Sequence, residues 1–211
     1  MLKPQDIVIL LKIISTMALA KGAPEATLSQ NRLAALLCMS PSEVNAGIKR
    51  LVFSKLLAPV IRSDSKHNKQ VFLPIKAACE ECLIFGIKYF FPAKLGAYTR
   101  GMATSYAAPL FEKLLVLGDD PIPVWPYGEG DRRGLALEPL YRSVPQSLSE
   151  NPDPLFYEML VLIDAIRTGR ARERSIAMKL LKERIDGEQQ KSASNLEFSD
   201  AGDGRKKVRR S

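Results

Sequence analysis

The sequence predicts a mainly α-helical protein with one small β-hairpin near residue 65 and further helices towards the C-terminus. Apolar residues recur at helical spacing through much of residues 4–53. Two short β-type runs flank a polar segment at residues 63–69. Nine of the 14 prolines fall within residues 92–154, which predicts an irregular region between the helical parts.

Composition narrows the class of protein. The chain has 211 residues, 46% apolar and 26% charged, a balance typical of soluble globular proteins with one or two domains. The apolar run at residues 7–11 is too short to cross a bilayer, and the first six residues lack the features of a signal peptide. Three cysteines favour a reducing compartment. We therefore expect a cytoplasmic protein with no membrane partner.

Charge is distributed in three blocks. The net charge of +8 divides into +7 over residues 1–94, −5 over residues 95–166 and +6 over residues 167–211. An excess of positive charge favours a polyanionic partner, and adjoining blocks of opposite sign indicate two surfaces with different partners.

The first two helices follow from spacing and end signals. Residues 7–18 carry a wide apolar stripe, which predicts a helix buried on most sides and ended by Gly22 and Pro24. Thr27 is the expected N-cap of the second helix, with Gln30 completing a capping box.

The third helix has the clearest start in the chain. Ser40 is a favourable N-cap, Pro41 suits the first helical position, and Glu43 completes a capping box. Its inner face is expected to consist of Val44, Ile48, Leu51 and Val52.

Two short strands and a fourth helix come next. Residues 57–62 and 70–74 are expected to pair as strands across the polar loop 63–69, with Pro59 restricting the first to an edge position. A helix is predicted over residues 75–90, closed by Pro92.

The remainder divides into three parts after a first domain of residues 1–91. Residues 92–154 are predicted to be an irregular, acidic region with a short helix at 107–117 and an extended segment at 121–126. Residues 155–186 are predicted to form two helices, and the apolar stripe at 155–166 fits either a core or a dimer interface. Residues 187–211 are expected to be a disordered tail with a basic end.

Two short helices, a tight turn at residues 38–40, a third helix and a hairpin follow one another in the first 74 residues. Residues 5–74 resemble the bacterial winged helix-turn-helix transcriptional regulators of the MarR type. The resemblance implies sequence-specific DNA binding, with a recognition helix at 41–53 in the major groove and a wing at 57–74 on the backbone or minor groove. Cys38 departs from the glycine frequent in such turns, so it would need an unusual backbone conformation or a different turn.

Candidate contact residues follow from the faces of these elements. Amide and ammonium groups suit adenine and guanine edges, and the expected base contacts are Ser42, Asn45, Ala46 and Lys49. Contacts to the phosphate backbone, or from the wing, are expected from Ser29, Gln30, Arg32, Arg50, Arg62, Lys66, His67 and Lys69.

Other interpretations stay open. A winged helix can instead act as an adaptor that docks a protein without binding DNA. Trp125 and Arg100 are the candidate partner-binding residues, although the segment around Trp125 can also wrap the core. The whole-chain layout is similar to that of bacterial regulators encoded beside toxin-like nucleotidyltransferases. This similarity implies an antitoxin or autorepressor role with a toxin-like protein partner, and paired half-sites favour a homodimer.

Catalytic signatures are weak, and we expect no enzyme activity, cofactor or metal. Cys79 and Cys82 have the spacing of a metal pair, but without a second pair they fit better as core residues. A hydrolase built on His67, Asp119 and Asp120 has no recognisable arrangement. The arginines of residues 167–174 form either a second phosphate-binding patch or ion pairs with the acidic region.

Overall fold

Helices and two small sheets make up a mixed α/β structure. The computed structural model describes residues 1–19, 29–64, 67–115, 118 and 120–187, and for residues 62–64 and 67–69 it describes the backbone alone. The predominance of helix and the antiparallel hairpin agree with the predicted fold class. A second, three-stranded sheet was not predicted.

Helix α1 (Pro4–Leu19) lies at the centre of the core. Its residues 7–11 are all buried, as the wide apolar stripe predicts. It packs against helices from both ends of the chain, so the N-terminal and C-terminal helices share one hydrophobic cluster. The predicted end signals Gly22 and Pro24 lie outside the described residues.

Helices α2 (Gln30–Leu37) and α3 (Pro41–Phe53) follow. The predicted capping box of Ser40 with Glu43 is confirmed. The predicted start of the second helix is wrong: Gln30 is its first residue and Ser29 is the N-cap, whose side chain accepts a hydrogen bond from the backbone of Arg32. A serine directly before the helix satisfies a free N–H of the first turn, and Thr27 lies outside the described residues.

Strands β1 (Leu57–Asp64) and β2 (His67–Pro74) form the antiparallel hairpin. Both extend further into the predicted loop 63–69 than expected, because backbone pairing continues to Asp64 and His67. Each strand of a two-stranded sheet is an edge, and Pro59 is therefore tolerated opposite Phe72.

The predicted helix at 75–90 is confirmed, with an irregularity at its centre. It consists of α4 (Lys76–Glu80), a π-helical turn (Glu81–Gly86) and α5 (Ile87–Phe90) in direct succession. A π turn inserts an extra residue per turn and often marks a functional position.

The prediction of an irregular region over residues 92–154 is wrong for much of its length. Strands β3 (Leu95–Ala103), β4 (Pro123–Pro126) and β5 (Arg132–Leu137) pair each with the other two and close on themselves. Closure needs very close backbone approach: a Cβ on Gly101 would lie 2.0 Å from the Trp125 carbonyl oxygen, and one on Gly134 would lie 1.9 Å from that of Ile122. These glycines look like loop signals in the sequence.

The predicted helix at 107–117 is also wrong. Two 3₁₀ turns occupy Ser105–Ala107 and Pro109–Phe111 instead. Pro109 explains the break, because it lacks the N–H that a continuous helix would need. The extended segment predicted at 121–126 is confirmed in its second half, which is β4.

The C-terminal part contains α6 (Val144–Glu150), α7 (Pro154–Thr168) and α8 (Ala171–Asp186). Helix α6 was not predicted, whereas α7, α8 and the end of α7 at Gly169 were. The apolar stripe of α7 belongs to the core of this chain, and this decides between the two interpretations given for it. The predicted tail lies outside the described residues, apart from Gly187, which ends α8.

A buried polar cluster fastens the three-stranded sheet to α7. The Asp164 carboxylate accepts hydrogen bonds from Trp125 Nε1 at 2.6 Å, from Thr104 Oγ1 at 2.9 Å and from Arg167 Nη1 at 2.5 Å. Burial raises the pKa of Asp164, while the Arg167 charge and these hydrogen bonds oppose that rise. A fully satisfied cluster of this kind fixes how sheet and helix meet.

Candidate nucleic-acid interface

The turn between α2 and α3 contains the unusual backbone that the sequence required. Cys38 has φ 51° and ψ 44°, the left-handed conformation that glycine adopts most readily. Its N–H donates to carbonyls of the last turn of α2. The turn therefore keeps its left-handed geometry even though a cysteine occupies the position.

Helix α3 has a fully buried inner face, and this fixes the direction of its outer face. The buried positions are Val44, Gly47, Ile48 and Leu51. Gly47 lets α3 approach α1 closely, because a Cβ there would lie 2.5 Å from the Ile9 side chain. The opposite face cannot rotate inward without emptying these sites.

The four expected base-contacting residues lie together on this outer face. Ser42 and Lys49 are exposed, and Asn45 and Ala46 are half-buried. The Asn45 amide donates to Gln30 Oε1 at 3.0 Å, which joins the outer faces of α3 and α2. Within the described part of the chain, the second amide hydrogen of Asn45 and its carbonyl oxygen have no hydrogen-bond partner and can bind a ligand.

Arg50 does not belong to this face. The guanidinium group that was predicted to contact phosphate is bound by Asp6 instead. Its guanidinium donates twice to Asp6 of α1, at 2.7 and 2.6 Å. Asp6 is completely buried, and its hydrogen bonds raise the pKa of Arg50. A bidentate pair of this kind joins α3 to α1 and leaves the Arg50 side chain only 23% exposed.

The start of α2 contributes one exposed cation. Gln30 is half-buried and holds Asn45, and Ser29 Oγ accepts from the Arg32 N–H at 3.2 Å, so the serine acts as a helix cap. The Arg32 side chain is exposed and makes no ion pair with the residues that the structure describes. Of the three residues predicted here, Arg32 is best placed for a phosphate.

The hairpin lies beyond α3 in the chain, and its candidate residues can be placed by register alone. Arg62 on β1 stands opposite Lys69 on β2, and His67 stands opposite Asp64. Lys66 lies outside the described residues. The backbone thus brings Arg62, His67 and Lys69 to the end of the hairpin away from the core.

Residues from the later part of the chain form hydrogen bonds with α2, α3 and the turn between them, and we call these residues the brace; they were not predicted from the sequence. Tyr141 donates to Glu43 of α3, and Ser143 Oγ donates to the Leu37 carbonyl at 2.6 Å. The Cys38 thiol contacts Glu150 at 3.3 Å. These residues lie about 100 positions away in the chain, so no local signal could have indicated them.

The brace perturbs two ionisable groups. The hydrogen bond from Tyr141, with those from Ser40, lowers the pKa of Glu43 to about 2. Burial, with the Glu150 hydrogen bond and charge, raises the pKa of Cys38 to about 11. Glu43 is therefore charged and Cys38 is a neutral thiol at pH 7.

Two further exposed residues near α3 were not predicted. Phe53 is 83% exposed and continues the outer face of α3 at helical spacing from Ser42, Ala46 and Lys49. Lys55 follows it, exposed and with φ 61°. Exposure of Phe53 can be predicted from the sequence only after the inner face of α3 has been identified.

The residues suggested for a protein partner do not form a common surface. Trp125 is 1% exposed and bonded to Asp164, so its predicted partner-binding role is corrected to a core role. Arg100 is exposed on β3, with its Nε donating to the Gly130 carbonyl at 2.6 Å.

The remaining candidates resolve into structural roles. Cys79 is buried and Cys82 is half-buried, and both are free thiols. Within the described residues no group of histidine, cysteine and carboxylate side chains could hold a metal. Arg167 pairs with buried Asp164, and Arg170 lies 3.3 Å from Asp120, which favours pairing with the acidic region over a second phosphate patch.

Comparison of the chain with family models, with curated proteins and with solved structures gives no match. None of the described helices is long and apolar enough to span a membrane. Function is therefore inferred from the geometry around α3.

Proposed function

We propose that the protein is a sequence-specific DNA-binding transcriptional regulator. In this proposal α3 enters the major groove and the β1–β2 hairpin lies along the backbone or minor groove. The observation that carries the proposal is the outer face of α3, where Ser42, Asn45, Ala46 and Lys49 are accessible while the opposite face is buried.

The chemistry of this face suits base edges. The free amide hydrogen and the carbonyl oxygen of Asn45 match the N7 and N6 groups of adenine, and Lys49 can donate to guanine. Ala46 is small enough to let the helix approach, and its methyl group can contact a thymine methyl. The bond to Gln30 fixes the Asn45 amide before a ligand arrives, which lowers the entropy lost on binding.

The surrounding charge favours a polyanion. Arg32, Lys49 and Lys55 are exposed and without ion pairs among the described residues. The nearest acidic group on α3, Glu43, is held by Tyr141 and Ser40. Three unpaired cations beside an outward-facing helix are suited to neutralising phosphates.

Selection of binders from a pool of random duplex sequences, followed by anisotropy titrations, tests the proposal. We expect Asn45→Ala and Lys49→Ala to weaken binding to the selected site about 10- to 100-fold. Arg32→Ala should weaken binding to all duplexes alike and lower the salt slope by about one.

Lys179→Ala is the matched control, because Lys179 is exposed on α8, far along the chain from α3. It should leave affinity and salt slope unchanged. Absence of salt-sensitive duplex binding by the unmodified protein would overturn the proposal.

A second candidate function, a protein adaptor that docks through α3, is favoured by one observation. Phe53 is largely exposed on the same face as Lys49, and exposed aromatic residues commonly anchor protein interfaces. Phe53→Ser separates the two functions: a DNA reader should keep most of its affinity for the selected site, whereas an adaptor should lose its protein partner. A toxin-like partner and an autorepressor role are narrower proposals, which the promoter bound and the protein captured would decide.

A further inference from the structure

Large apolar side chains are exposed on the helix of residues 76–90 and at the start of β3. Five large apolar side chains within 14 residues are each more than half exposed, and we call them the apolar strip: Phe85, Tyr89, Phe90, Leu95 and Tyr98. At roughly 200 Å² for a large side chain, they leave about 600 Å² of largely apolar surface open. Patches of that size on soluble proteins commonly mark interaction sites.

A groove runs beside the strip. It has a volume of about 430 Å³, and the small residues Ala78, Cys82 and Gly86 of the helix line it. Phe85 and Phe90 of the same helix also line it, together with Leu2 and Leu56 from other parts of the chain. A Cβ on Gly86 would lie 2.7 Å from the Phe90 ring, so this glycine lets the ring lie against the helix.

Two opposite charges flank Phe85 on the same helix. Glu81 is exposed at the groove, and Lys88 lies seven residues later with its Nζ 4.7 Å from the Tyr89 ring centroid. Neither makes an ion pair with the residues that the structure describes, whereas the neighbouring Glu80 pairs with Lys182.

We propose that this face is the interface of a symmetric homodimer, in which the helices of residues 76–90 cross antiparallel about a two-fold axis near Phe85. In a two-fold interface each residue i that contacts residue j is matched by j contacting i. An antiparallel crossing near Phe85 brings Glu81 of each copy to Lys88 of the other. It also brings the aromatic side of each helix over the small residues of the other groove.

Area and complementarity favour a second copy over another protein. Full burial of the apolar strips of two copies would cover about 1,200 Å² before any surrounding residue is counted, which reaches the lower range of stable interfaces. The small residues that line the groove, three exposed aromatic side chains and both charges lie on one helix, so a second copy of this chain supplies groups complementary to each of them. The inference is independent of the DNA-binding proposal.

Sedimentation velocity of the full chain across a range of concentrations tests the dimer. We expect a dimer for the unmodified protein and at least a 100-fold rise in the dimer Kd for Phe85→Glu, because two carboxylates would be buried near the axis. Leu114→Glu is the matched control: Leu114 is also a large exposed apolar residue, but it lies outside the strip and the groove, and its change should leave the Kd unaltered. Thermal unfolding checks that Phe85→Glu remains folded.

Charge exchange tests the antiparallel arrangement. Glu81→Lys alone and Lys88→Glu alone should each weaken self-association about two- to tenfold, as expected for two exposed ion pairs. An equimolar mixture of the two variants should form heterodimers with the original affinity, because each like-charged copy meets its opposite.

Three results would overturn the proposal. One is a monomer at 100 µM, whatever DNA the protein binds. Another is a Phe85→Glu variant that dimerises normally, which would place the interface elsewhere. The third is a mixture of charge variants that fails to regain affinity, which would exclude the antiparallel crossing.

Discussion

Two polar clusters of this molecule differ in what their side chains can reach. On the outer face of α3, Ser42 and Lys49 are exposed, and the half-buried Asn45 side chain makes one hydrogen bond with the residues that the structure describes. Around Asp164, every carboxylate oxygen is occupied by a buried or nearly buried donor. The first cluster therefore retains polar groups that can bind a ligand, whereas the polar groups of the second are used in hydrogen bonds between the sheet and α7.

This difference separates binding residues from stabilising ones. Changes on α3 should alter ligand affinity with little effect on folding, and changes around Asp164 should do the reverse. Four substitutions should change the free energy of unfolding by successively smaller amounts.

The largest effect is expected for Asp164→Asn. The substituted side chain is uncharged, so Arg167 would remain a buried cation without a carboxylate partner. The NH₂ group of that side chain would also face N–H or O–H donors from which it cannot accept a hydrogen bond. We expect a loss of about 3–5 kcal/mol in the free energy of unfolding, measured by chemical denaturation. Unchanged stability would show that the cluster is not what joins β4 to α7.

Arg50→Ala should cost about 2–3 kcal/mol, because Asp6 would remain buried without its guanidinium partner. The salt slope of DNA binding should not change. Lys49→Ala, one residue earlier, is the matched comparison and should change affinity while shifting stability by less than about 0.5 kcal/mol. The reverse pattern would mean that Arg50 is the surface contact after all.

Tyr141→Phe should cost about 1 kcal/mol at pH 7 by removing the hydrogen bond to Glu43. Since that bond is the main cause of the low Glu43 pKa, the pKa should rise from about 2 towards its ordinary value of 4.5. Carbon-detected NMR titration of Glu43 measures it directly.

The sign of the accompanying pH dependence is fixed. A carboxylate with a lowered folded pKa contributes stability above its ordinary value, and that contribution is lost as the pH falls through about 2. The stability difference between the unmodified protein and Tyr141→Phe should therefore shrink between pH 4.5 and pH 2. A difference that grows over this interval would contradict the assignment.

The smallest effect is expected for Cys38→Gly. Glycine adopts the left-handed conformation without strain, so stability should rise by about 0.5–1 kcal/mol, reduced by loss of the thiol contact to Glu150. Thermal unfolding measures the gain. A loss of stability would mean that the Glu150 contact outweighs the backbone strain.

Sequence reasoning succeeded where structure is local. The capping box at Ser40, the inner face of α3, the hairpin and the helix at 75–90 all depend on residues within a few positions of one another. The outer face of α3 followed from these, because burial of one side of a helix determines the other.

It failed where distant parts of the chain meet. Gly101 and Gly134 serve close strand crossings that no neighbouring residue reveals, so the closed sheet was taken for irregular chain. Arg50 resembled a surface cation because its partner Asp6 lies 44 positions earlier. The role of Trp125, in partner binding or in the core, could not be decided from the sequence for the same reason, because only the fold brings Asp164 to its indole nitrogen.

The most direct test of the central claim, that α3 reads DNA bases, compares the sites that two proteins select. The unmodified chain and Asn45→Ala are each used to enrich a random duplex pool, and the enriched sites are sequenced. We predict that Asn45→Ala loses preference at one base position of each half-site, an adenine in the site of the unmodified protein, while its other positions are retained. Identical selected sites, or no enrichment by the unmodified protein, would contradict the claim.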